Sequence, residues 1–146
     1  MDTSTATRET PTRETGTGST APTKLFSALA GLAALAVLLQ GLWAGIFLEH
    51  DGRRDDAGSW IDVHARGGEA ALVLAVAAAA VALWRLRSRK DLWVGSLVLV
   101  LLLAIESYLG GAIRDDSKDT LTAVHVPLAM AIMAVSVWLP LRARKR

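Results

Sequence analysis

Residues 92–113 read Leu-Trp-Val-Gly-Ser-Leu-Val-Leu-Val-Leu-Leu-Leu-Ala-Ile-Glu-Ser-Tyr-Leu-Gly-Gly-Ala-Ile, an apolar run broken by a single acid, Glu106. About 20 consecutive apolar residues span the hydrocarbon core of a bilayer as a helix. Only a helix satisfies all its backbone groups there within one segment. Working outward, three more apolar blocks cover residues 24–48, 60–84 and 121–141. Together they predict helices over about 24–48, 60–86, 91–113 and 121–142, joined by short charged loops. Short connections make neighbouring helices antiparallel. The fold expected is therefore all-α: an integral membrane antiparallel four-helix bundle over residues 24–146.

The chain has 146 residues, 52% of them hydrophobic and 21% charged, with a net charge of only +2. A soluble domain mixes polar and apolar residues throughout, whereas here they segregate. Residues 1–23 contain no Leu, Ile, Val, Phe or Trp, and repeat Thr-Arg-Glu-Thr at 7–10 and 12–15. Such a segment cannot offset its ordering entropy, so it reads as a disordered tail. The mean hydropathy of +0.36 is diluted by that tail. The absence of cysteine excludes a disulfide scaffold, a thiolate metal site and heme attached through Cys-x-x-Cys-His.

A pI near 9.4 invites a nucleic-acid reading, but the basic residues sit at helix ends and read as topology signals. Arg8, Arg13, Lys24, Arg85, Arg87, Arg89, Lys90, Arg142, Arg144, Lys145 and Arg146 fall on one side. On the other, Arg53, Arg54, Arg66, Arg114 and Lys118 are diluted by eight acids. By the positive-inside rule both termini are cytoplasmic and the chain lies in the cell membrane. Trp84, Trp93 and Trp138 then mark the inner interface and Trp60 the outer one.

All three histidines fall on the outward side. His64 opens the second apolar block and His125 the fourth. Those helices run in the same direction, so the two imidazoles share a depth. Two neutral imidazoles facing across a bundle can clamp a heme iron, with Arg66, Arg53, Arg54 or Arg114 available to the propionates. Gly67 and Gly68 beside His64, and Gly110 and Gly111 at the end of the third helix, offer side-chain-free surface to a flat macrocycle. The plainer reading makes each histidine an interfacial hydrogen-bonding residue; the matched pair favours a b-type heme held by His64 and His125. His50, between Glu49 and Asp51, reads as a loop residue. Two histidines without an adjacent carboxylate or thiolate are too few for zinc.

An ionisable residue as deep as Glu106 is a functional residue by default. It lies about two turns from Arg114, near the level of the histidines. A role in supporting a ligand histidine or in handling a proton is expected. Gln40 reads as a helix–helix hydrogen-bonding residue, Gly41 and Gly45 as a small-xxx-small contact, and Glu69 as a partner of Arg66 or an interfacial residue.

His-Ala-Arg-Gly-Gly at 64–68, Glu-Ser-Tyr-Leu-Gly-Gly at 106–111 and Ala-Val-His at 123–125 together resemble one four-helix half of heme A synthase. Short bacterial four-helix membrane proteins share that pattern. The resemblance covers 24–141 and implies heme binding by His64 and His125. It departs in three places: Ile61 stands where the family has a glutamate, Ala65 separates His64 from Arg66, and Glu106 replaces a glutamine-like amide. The family's oxygenase chemistry therefore does not carry over. The function expected is electron transfer or heme handling at the outer face. Its partners are membrane lipid, a second copy or a larger respiratory-type complex, and a quinol or other redox partner, with no nucleic acid. The alternatives are a cofactor-free accessory or structural subunit, and a small transporter with Glu106 in its path.

Overall fold

A computed structural model describes residues 21–49 and 54–145. Four long helices account for nearly all of them: α1 (Ala21–Leu48), α2 (Arg54–Arg85), α3 (Lys90–Asp115) and α4 (Thr122–Arg144), the last preceded by a 3-10 turn over Asp119–Leu121. Each contains a stretch long and apolar enough to cross a membrane. The expected helix order holds, and the ends move. α1 starts at Ala21, taking the last three residues of the expected tail, because Pro22 fits a first helical turn where no N–H partner is needed. α2 starts at Arg54, six residues ahead of the apolar block, since a helix once nucleated extends through polar sequence. The rest of the tail, together with His50 and Arg53, lies outside the described residues.

α1 packs against α2 and α4, and α3 packs against the same two, whereas the pairs α1–α3 and α2–α4 make no close backbone approach. Every helix buries residues at the same spacing. The buried rows are Phe26, Ala30, Ala33, Val37 on α1 and Ala71, Ala75, Ala78, Ala82 on α2. On α3 they are Leu92, Ser96, Leu99, Leu103, and on α4 Ile132, Ser136, Leu139, Ala143. Steps of four, three and four keep one stripe facing inward along a helix. The stripes are rich in alanine and serine, while Leu32, Leu38, Val73, Leu101 and Met130 face outward and exposed. Large apolar groups outside and small ones between helices invert the soluble pattern and match helices packed in lipid. The buried serines donate to carbonyls of their own helices, Ser96 to Leu92 at 2.7 Å and Ser136 to Met133 at 2.9 Å. At Gly95 a Cβ would come within 2.8 Å of the Trp138 ring, so the glycine lets α3 and α4 close together.

The buried rows all belong to the basic end. There Asp91 joins α3 to α4: it accepts from Arg89 at 3.1 and 3.0 Å and from Arg142 at 2.7 Å. Arg89 also donates to the Arg142 carbonyl at 3.1 Å, and its pairing with Asp91 holds its pKa above the usual guanidinium range. At the other end α3 leads into a turn in which Ser117 adopts a left-handed φ of 54°. Among the described residues beyond Val37, Ala71, Leu103 and Ile132, Ala112 alone is buried. The interior is thus tightly closed at one end and loosely closed at the other, and Gln40, His64, Glu106 and His125 lie in the loose half.

Candidate functional site

Each helix contributes a partly buried polar residue to that half: Gln40 from α1, His64 from α2, Glu106 from α3 and His125 from α4. The ring centroids of His64 and His125 are 6.4 Å apart with an interplanar angle of 62°. The rings bridge the α2–α4 diagonal, which the backbones do not. Nδ1 of His64 lies 3.2 Å from the backbone carbonyl of Gln40. A carbonyl only accepts, so Nδ1 is the donor in this contact. Nδ1 of His125 lies 3.1 Å from Oε1 of Glu106, with the two side chains 19% and 13% exposed. That approach is off the axis of a hydrogen bond, so by direction Nδ1 and both Glu106 oxygens lack a partner.

The four glycines divide. A Cβ on Gly110 would lie 3.4 Å from Cε1 of His125, so this residue makes room for that imidazole. Gly111 faces open space, and Gly68 would make only ordinary contact with Gln40 at 3.8 Å. Gly67 is different. A Cβ there would run into the Trp43 ring and the Gln40 amide, so its bare surface is used for close packing of α1 against α2. The expectation that it lies open to a macrocycle is corrected accordingly. Trp43 was not singled out in the sequence. Its place between the Gln40 and Gly67 levels follows from one helical turn of separation, a signal visible only once the α1–α2 register is known.

Arg66 is exposed and about 200° around the helix from His64 at 100° per residue, on the far side of α2. Among the described residues it makes no ion pair, with Glu69 or otherwise. Arg114 is engaged by Asp115 at 2.7 Å. The side chain of Arg54 lies outside the described set. Gln40 donates its amide to Ala36 of its own helix at 3.3 Å, so its link to α2 is through the main chain rather than the side chain. Gly41 and Gly45 have nothing within 4 Å and do not serve contact inside the chain.

Among the described residues no group of three or more His, Cys, Asp or Glu is arranged to hold a bare metal ion. A heme asks for less: two axial imidazoles and a wall that admits the ring. With metal–imidazole bonds of about 2 Å, opposed ligands place their centroids roughly 6 Å apart. The observed 6.4 Å is compatible with that span and is also the distance of a direct edge-to-face contact between the rings. Nδ1 of His64 faces a carbonyl acceptor, the arrangement that orients a ligand ring, whereas Nδ1 of His125 lies beside the Glu106 carboxyl without a bond. The chain matches no family model, no curated protein and no solved structure. The site therefore rests on its own geometry.

Proposed function

We propose that the chain is a multi-pass protein of the cell membrane, an antiparallel four-helix bundle with both termini cytoplasmic. In this reading His64 and His125 ligate a b-type heme near the outer face, for electron transfer or heme handling. The observation that carries it is the 6.4 Å pairing of two imidazoles from diagonal helices, His64 with Nδ1 on the Gln40 carbonyl and His125 with Nδ1 3.1 Å from the Glu106 carboxyl. The membrane part is supported by four apolar helices with small residues between them and large ones outside. The excess of Lys and Arg in the tail, the α2–α3 loop and the C-terminus supports the orientation. The likeness of 64–68, 106–111 and 123–125 to one half of heme A synthase points to the same two ligands, without its oxygenase chemistry.

A heme held by two histidines supplies a one-electron couple with no open coordination position. The chain's own residues do the rest. The Gln40 carbonyl and the Glu106 carboxyl orient the two rings, and Gly110 gives the His125 ring room to turn. Glu106 also holds or releases a proton at Oε1, facing the Nδ1 of His125. A quinol or another one-electron carrier is the fitting redox partner.

Absorption spectra of protein purified from heme-replete cells test this. Sharp reduced α and β bands are expected, lost in both His64→Ala and His125→Ala. A colourless, well-folded protein overturns the reading. In that case the exposed Gly41 and Gly45 face of α1, unused within the chain, favours a cofactor-free subunit that packs against another membrane helix.

A further inference from the structure

We infer that the basic end carries a binding site for an anionic phospholipid, in the crevice between the end of α2 and the start of α3. This inference rests on the membrane reading above and is independent of heme. The crevice is an open hollow of about 480 Å³ lined by Leu83, Trp84, Arg87 and Trp93. Two indoles and a leucine give an apolar wall at the depth where aromatic rings meet headgroups. Arg87 supplies the charge.

The arginines of this end fall into two kinds. Arg89 and Arg142 share the Asp91 carboxylate, so their charge is spent inside the protein. Arg87 has no acidic partner among the described residues. Its Nε donates to the Leu83 carbonyl at 2.9 Å, which caps the end of α2 and fixes the guanidinium beside the hollow. Capping uses one N–H, and both Nη groups are left without a protein acceptor among the described residues. A planar fork with free N–H groups beside an apolar wall fits a phosphate that carries acyl chains. Basic pockets between membrane helices recognise acidic headgroups by this combination. A zwitterionic lipid fits the wall but carries no net charge for the guanidinium.

Native mass spectrometry of the detergent-purified full chain, with phosphatidylglycerol or phosphatidylcholine added, tests the site. Phosphatidylglycerol is expected to be retained preferentially, and Arg87→Gln to lower its apparent affinity about fivefold. Arg144→Gln, an exposed basic residue away from the hollow, leaves retention unchanged. Trp84→Ala removes an exposed side chain, so it threatens folding least, and it lowers retention of phosphatidylglycerol as well. Equal retention of the two lipids, unchanged retention in Arg87→Gln and Trp84→Ala, or displacement by millimolar inorganic phosphate alone overturns the proposal. A colourless protein that still selects phosphatidylglycerol overturns only the heme reading. A heme-loaded protein without lipid selectivity overturns only this one.

Discussion

Oε1 of Glu106 on α3 and Nδ1 of His125 on α4 lie 3.1 Å apart, in side chains that are both mostly shielded from solvent. An acid facing the outer nitrogen of a ligand histidine sets the tautomer and raises ligand basicity, and removing such a partner typically costs 10–100-fold in metal affinity. On the heme reading, Glu106→Ala is therefore expected to weaken heme retention by about 10–100-fold, and Glu106→Gln to weaken it less while raising the reduction potential. Heme titration of the apoprotein and a redox titration of the α band check both. A potential unmoved in Glu106→Gln would remove the acid from any role at the ligand.

Gly67 and Gly41 predict opposite outcomes on neighbouring helices. Side chains at Gly67 meet Trp43 and Gln40, whereas Gly41 faces open space. Gly67→Val should destabilise by about 1–3 kcal/mol through overpacking of the α1–α2 contact. Gly41→Ala should be neutral or stabilising by up to about 1 kcal/mol, since alanine is the better helix former. Thermal unfolding in detergent, followed by circular dichroism, separates them.

Asp91 lies between two guanidinium groups on a partly exposed surface. Exposed pairs contribute about 0.2–1 kcal/mol and are screened by salt. Asp91→Asn is expected to lower the unfolding temperature at low ionic strength. The difference from wild type should shrink on adding molar salt. A loss that persists undiminished at high salt would mean that the link is not electrostatic.

The absence of cysteine makes the topology directly measurable. Ser88→Cys sits in the α2–α3 connection and Asp116→Cys in the α3–α4 connection, both exposed. With cytoplasmic termini, an impermeant thiol reagent on intact cells labels Asp116→Cys and spares Ser88→Cys. Labelling in the reverse pattern inverts the molecule and moves the histidines to the inner leaflet.

The four spans were legible because an apolar block of bilayer length has few other readings. The start of α2 was not, because Arg54-Asp-Asp-Ala-Gly-Ser59 has no apolar period to mark it as helix. Glu106, His64 and His125 were legible as one layer because helical rise converts sequence distance into depth. Their supports were only half legible. Glu106 is a side chain on an apolar background and stands out. The acceptor for His64 is the main-chain carbonyl of Gln40, and every residue has one. Gly67 shows the same limit from the other side: its sequence context suggests an open surface, and only the register of α1 against α2 places Trp43 over it.

The uneven closure of the helices has a consequence for the order of events in the cell. Rows of buried alanine, serine, leucine and isoleucine, with the Asp91 link, hold the basic end without help from the histidine layer. Segments with few buried contacts open at the lowest free energy, and here those are the outer turns that carry His64, Glu106 and His125. On the heme reading, membrane insertion and cofactor delivery are then separable steps. On that reading the chain is inserted empty and receives its heme later at the histidine end, without passing through the unfolded state.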